Sequence, residues 1–282
     1  MLMKYSKKTS KIDLKNEDLV VEDESRAQNT NNSSRCFCSP VIDGIKDKNI
    51  LTKTGERFGI NAIGFQGIGI PSGIFFNEKN NANNFAITLS KYQMNRIDNP
   101  KAIEYINNAI ENSNLDITHI KLDLLYNELD ADEYLNLFDD NYEIDYKKLN
   151  AACKKYNINY YKINKIQKEN LISNLNNDNL INLMKNERRL NIILDNARIH
   201  KSKVVEIVCD ILNINLVFLP PYCPFLNPIE NVWKDVKREI YNSYYTNLEE
   251  LIEIFDDAFM ARIPSRTYYE NWLAKFFAQN LR

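Results

Sequence analysis

NIILDNARIHKSKVVEIVCDILNINLVFLPPYCPFLNPIENVWKDVKREIY, residues 191–241, sets the reading of the whole chain. Asn191–Leu194 is a short apolar, β-prone run that stops at Asp195. Val204, Val205, Ile207, Val208, Ile211 and Leu212 then recur at helical spacing. Leu216–Leu219 is a second strand-like run, ended by Pro220 and Pro221. Strand, helix and strand in this order predict a right-handed βαβ unit with parallel strands. Asp195 then falls at the carboxyl end of a strand, where open α/β sheets keep their chemistry. Pro224 and Pro228 hold the chain extended until a helix begins, with Ile229, Val232, Trp233, Val236 and Ile240 as its buried stripe. Glu230 lies off that stripe, in the first turn.

Asp195 and Glu230 have 34 residues between them. One carboxylate at a strand end and one at the start of a following helix can converge on a divalent metal. Structural roles compete with that one. Asn227 as N-cap, Pro228 at N1 and Glu230 at N3 would form a capping box. Asp195 would serve equally as the polar stop of a strand. His200 either packs at the start of the helix or lies near the site and touches nucleic acid.

The segment resembles the mariner-type DDE transposases, in the branch found in bacterial and archaeal insertion sequences. The residues that carry the resemblance are Asp195-Asn196 with His200, then Leu219-Pro220-Pro221-Tyr222 and Pro224. Leu226-Asn227-Pro228-Ile229-Glu230-Asn231 and Trp233 complete it, and the gap between Asp195 and Glu230 is also the family's spacing. Upstream, the apolar run Leu19–Val21 is followed by Asp23-Glu24-Ser25, which resembles the family's first catalytic carboxylate. Asp23 is expected just beyond that first strand.

The glycines all fall between Gly44 and Gly73, which marks turns and bulges between strands. Phe58–Phe65 and Ile68–Phe76 read as antiparallel strands following the first. A phosphate-binding glycine loop is excluded, because no Gly-Lys-Ser/Thr follows and no helix starts there. Asn83–Leu89 begins a helix. Residues 91–187 are rich in Asn, Asp, Lys and Tyr, with helical spacing at Ile103, Ile106 and Ile110 and at Tyr134, Leu135 and Phe138. Lys162–Lys185 extends the helical character. Tyr160 and Tyr161 are candidates to stack on bases, against the commoner role of core or interface aromatics. Leu248 to Phe259 and Tyr268 to Phe277 pattern two C-terminal helices, separated by Pro264.

The expected fold is α/β: a ribonuclease-H-like mixed five-stranded sheet with helices on both faces, plus a mostly helical insertion. The expected divisions are a leader at 1–17, the first half of a catalytic domain at 18–90, the insertion at 91–187, and the second half with C-terminal helices at 188–282. The resemblance implies that Asp23, Asp195 and Glu230 are catalytic and bind metal, either Mg²⁺ or Mn²⁺, as two ions. It implies metal-dependent DNA cleavage and strand transfer at the ends of an insertion sequence. A nuclease of the same fold without strand transfer, and an inactive relic or binding module, are the alternatives.

The chain has 282 residues and a net charge of −2, so any DNA contact must use local patches. Arg198, His200, Lys201, Lys234, Lys237 and Arg238 are the candidates for that track. The implied partner is double-stranded DNA, both element ends and target. Homodimerisation and a separate DNA-recognition module are further expectations. Five cysteines, with only Cys36 and Cys38 closely spaced, give no zinc pattern and fit a reduced cytoplasm, with nucleoid association when acting. No apolar run approaches a membrane span.

Overall fold

The computed structural model describes residues 9, 11–29, 58–139 and 141–277. Cys36, Cys38, Gly44 and Gly55 lie outside the described residues, as does most of the expected leader. The strands are β1 (Asp18–Gln28), β2 (Gly59–Gly67), β3 (Gly73–Asn77), β4 (Leu190–Leu194) and β5 (Ile214–Phe218). They form one mixed five-stranded sheet in the order β3-β2-β1-β4-β5. The β1–β2 and β2–β3 pairs are antiparallel, and β1–β4 and β4–β5 are parallel. The architecture is therefore the α/β class expected, consistent with a ribonuclease-H-like fold.

The chain packs as two compact units. The first contains the described residues of Met1–Asn80, Arg188–Arg198 and Ile214–Arg282. The second contains those of Asn81–Glu187 and Ile199–Asn213.

In the first unit, strand alternation sorts the side chains of β1. Val21 pairs with Ile193 and Asp23 pairs with Gly64, so Val21, Asp23, Ile193 and Gly64 share one face of the sheet. Helices α9 (Ile229–Asn242), α10 (Leu248–Arg262) and α11 (Glu270–Phe277) belong to this unit. Val21, Ala62 and Ile193 form one core with Val232, Trp233, Phe255, Phe259 and Trp272. Trp233 sits against the bare face of Gly64. A Cβ added there would lie 2.5 Å from the indole and 2.9 Å from Phe259.

Two expectations about this sheet need correction. Asp23 lies within β1 rather than beyond it. The parallel ladder to β4 ends at Val21, but antiparallel bonds to β2 carry the strand on to Gln28 through a charged stretch. Ile68–Phe76 is not one strand. Residues 68–72 turn, with Gly69 at φ 76°, and only Gly73–Asn77 pairs. Pro71 has no N–H to give a ladder, which disfavours an extension there.

The second unit is helical among its described residues. It contains α1 (Ala82–Arg96), α2 (Pro100–Ser113), α3 (Ile117–Tyr126), α4 (Ala131–Leu135), α5 (Tyr146–Lys155), α6 (Tyr160–Leu175), α7 (Asp178–Asn186) and α8 (Lys203–Ile211). The helices α3 and α5 were not legible from apolar spacing. The Asn and Asp content of the region has a structural use: Asn81, Asn99, Asp116, Asp130, Asp145, Asn159 and Asn177 each cap a helix through their side-chain oxygen. Asn177 is also what divides the expected Lys162–Lys185 helix into α6 and α7. Ile120, Leu125, Leu149, Cys153, Ile158 and Ile163 form a separate core under α3, α5 and α6.

Candidate metal-binding cleft

A cleft of about 480 Å³ opens in the first unit, lined by Asp23, Asp195, Asn196, Leu219, the loop to Pro224, Asn227 and Glu230. The three carboxylates reach it from three elements. Asp23 comes from β1, Asp195 follows β4, and Glu230 stands in the first turn of α9. Asp195 lies two residues beyond Ile193, a buried residue of the face that carries Asp23.

Hydrogen bonds fix this arrangement at its ends. Leu219 donates its N–H to the Leu194 carbonyl (2.8 Å), and the Asn196 side-chain amide donates to the Leu219 carbonyl. The ends of β4 and β5 are thereby tied where the cleft begins. Asp195 accepts a bond from the Ala197 N–H (2.7 Å), which holds its carboxylate at the turn. Asn227 is 3 % exposed, and its side-chain amide donates to the Glu22 carbonyl (2.8 Å). That bond anchors the start of α9 to β1 one residue before Asp23. Trp272 donates its indole N–H to the Leu226 carbonyl (2.7 Å) and holds the loop from behind.

The competing capping box is not formed. Pro228 occupies the N-cap position of α9, and Asn227 accepts only a long bond from the Ile229 N–H (3.4 Å). Glu230 donates its backbone N–H to the Asn227 carbonyl (3.3 Å), and its carboxylate accepts no hydrogen bond among the described residues. The reason is geometric: Asn227 gives its backbone N–H to the Pro224 carbonyl (2.7 Å), so that donor is not offered to the Glu230 carboxylate. Glu230 is left at the rim of the cleft with its carboxylate available.

The electrostatics are those of a crowded acidic site. Burial, then the carboxylates of Glu230 and Glu24, push Asp23 well above the usual carboxylate range, with Asp195 adding to the effect. Partial burial and Asp195 raise Glu230, while Lys237 pulls it down. Burial and mutual repulsion both disfavour the charged forms. A divalent cation among these acceptors would relieve both, and acceptor-only oxygens suit Mg²⁺ or Mn²⁺.

Residues 158–252 match the family model of the DDE superfamily endonucleases. The match spans Asp195 and Glu230; Asp23 lies upstream of it. The similarity to DDE endonucleases points to a nuclease or transposase type of activity on DNA, in a superfamily that typically uses divalent metals. No curated protein matches the chain.

The remaining sequence candidates are dispersed. Arg198 and Lys234 are exposed, and Lys237 lies near enough to Glu230 to lower its pKa. Arg238 is paired with Asp235 (2.8 Å). Lys201 is exposed on the second unit. His200 is 1 % exposed, and its ring lies 4.4 Å from that of Phe85. His119 lies on the surface beside Asp116.

Two cleft residues, Asn196 and Tyr222, had no assigned role in the sequence, and Asn227 had only that of a helix cap. Tyr222 is 99 % exposed and holds φ at 59°, a left-handed conformation that is uncommon for a bulky residue. Their signal was present in the spaced motif, but without coordinates nothing separated a residue that shapes the cleft from one that ends a strand. Among the described residues, no helix is long and apolar enough to cross a membrane.

Proposed function

We propose that Asp23, Asp195 and Glu230 hold two divalent ions and that the chain cleaves DNA and transfers the resulting 3′ ends, as a mariner-type transposase of the insertion-sequence branch. One observation carries the reading: three carboxylates from separate elements line a single cleft, with Asp23 and Glu230 both raised by crowding and burial. Two metals, when bound, supply an activated oxygen nucleophile and charge stabilisation at the leaving oxygen. The chain's own residues do the rest. Asn227 fixes the distance between Glu230 and Asp23, Asn196 and Leu219 fix Asp195, and Lys237 offsets part of the negative charge. Tyr222 stands at the mouth, where an exposed ring can meet a nucleotide.

The divisions 18–90, 91–187 and 188–282 are proposed as part of the same reading, although Asn81–Glu187 and Ile199–Asn213 pack as one unit. Residues 18–90 and 188–282 supply every strand of the sheet, and 91–187 contribute none among the described residues. Homodimerisation and a separate recognition module remain proposals of the same kind.

The test is nicking of supercoiled plasmid by the full chain with Mg²⁺ or Mn²⁺. Asp195→Asn keeps the shape of the side chain and removes its charge. It should lower cleavage at least about a thousandfold while leaving the circular dichroism spectrum unchanged. An unaffected rate would overturn the assignment. Joining of a pre-cut 3′ end to plasmid would support strand transfer; hydrolysis without joining would leave a nuclease on the same fold.

A further inference from the structure

The second unit carries a feature that the cleft does not use. From Tyr146 to Lys168 the chain has seven lysines and no Asp or Glu, within a protein whose overall balance is −2. This stretch is α5, a four-residue turn and the first half of α6. Two helices follow one another across this short turn, and the front of the second can be offered to a groove. Here that front is exposed. Tyr160 and Tyr161 open α6, 52 % and 80 % exposed, with ring centroids 6.2 Å apart. Asn159 caps the backbone of Tyr161 and Lys162 and so fixes the first turn (3.0 and 3.2 Å).

The packing explains why the front projects. Ile163 joins the small core with Leu149, Cys153 and Ile158, while Leu171 and Leu175 bury the far half of α6. Tyr161, Lys165 and Lys168 follow at helical spacing on the side away from Ile163. The lysines are not there simply to balance the acidic stretch Glu128–Asp145 that precedes them. Lys155 pairs with Glu133 of that stretch (3.0 Å), Lys148 donates to Asn136 (3.2 Å), and Lys148 and Lys147 help hold Asp145 below the usual carboxylate range. Lys165 pairs with Glu169 at 3.7 Å. Lys147, Lys154 and Lys162 are exposed and form no ion pair among the described residues.

We infer that α5, its turn and the front of α6 are a duplex-DNA-binding surface, with Lys147, Lys154 and Lys162 on phosphates and Tyr160 and Tyr161 entering a groove. The choice of duplex DNA as ligand rests on the endonuclease reading above. The binding itself does not require the carboxylate cleft or any metal, so the two can fail separately.

Binding of the full chain to a labelled 30-base-pair duplex should be measured in EDTA at several salt concentrations. The triple substitution Lys147→Gln, Lys154→Gln and Lys162→Gln should weaken binding and reduce the slope of log affinity against log salt by about 2–3, since each phosphate contact contributes about one. Tyr160→Ala with Tyr161→Ala should weaken binding about tenfold with little change in slope. Lys91→Gln, Lys101→Gln and Lys185→Gln remove equal charge from exposed sites outside the surface and should have a smaller effect on both. Equal losses from the two lysine sets, or no duplex binding by the wild-type chain, would overturn the inference. Asp195→Asn should bind like wild type. A chain that binds through these lysines yet never cuts with metal would sink the endonuclease reading and leave this surface standing.

Discussion

The two units use polar residues in opposite ways. In the first, acidic side chains from three elements line one cleft, with Asp23 half-buried and Asp195 and Glu230 exposed, and burial and crowding raise Asp23 and Glu230. In the second, lysines and tyrosines of α5 and α6 stay at the surface, and the polar residues that do work inward are the caps of the helices. Chemistry on a phosphate needs charge held where water cannot screen it. Binding a polyanion needs charge where the polyanion can reach it. Substitutions should therefore be costly or gainful for stability in the first unit and nearly neutral on the exposed face of the second.

The largest effect should follow Trp233→Ala. The indole is 2 % exposed and fills the space over Gly64, so its loss should destabilise by about 3–5 kcal/mol in chemical denaturation. If the loss is under about 1 kcal/mol, α9 is not held by this contact and the first unit is looser than described.

Asn227→Ala comes next. It removes the bond to the Glu22 carbonyl and should cost about 1–3 kcal/mol, together with a larger loss of cleavage than a surface variant of equal stability shows. A variant that loses stability but keeps full cleavage would mean that Glu230 needs no anchoring.

Asp23→Asn should do the reverse for stability. The folded state raises the carboxyl's pKa, so its contribution is fully favourable only below the unfolded value and is lost as pH rises through the folded one. In EDTA near neutral pH the variant should melt about 2–4 °C higher, the shift expected for roughly 1 kcal/mol. The gap should close at acid pH, where both side chains are neutral. Saturating Mg²⁺ should stabilise the wild type more than the variant, because a ligand that binds only the folded state raises its stability. An unchanged melting temperature across this series would remove Asp23 from the crowded site.

The smallest effect belongs to the second unit. The triple substitution of Lys147, Lys154 and Lys162 to Gln should change stability by no more than about 0.5 kcal/mol per site while altering DNA binding as described above. A clear destabilisation would show that these lysines support the fold and are not a solvated face.

The period of apolar residues settled much of the fold in advance. Leu19–Val21, Asn191–Leu194 and Leu216–Leu219 marked strands, and the stripe from Ile229 to Ile240 marked a helix, because burial of one face imposes its period on the chain. Periodicity put Asp195 at a strand end and Glu230 in the first turn of a helix, where structural roles competed; the resemblance is what singled them out. What the periods did not carry was decided in three dimensions. The length of β1 depends on β2, a partner whose pairing continues through a stretch with no apolar run. Whether Asn227 caps a helix or ties it to β1 depends on where Glu22 lies, and that bond spans 205 residues of sequence. For His200 the sequence left packing and nucleic-acid contact open, and only the fold set its ring 4.4 Å from that of Phe85. Local sequence sets which backbone shapes are favourable over a few residues; which side chains meet across the fold depends on contacts between distant segments, and only the packed structure fixes those.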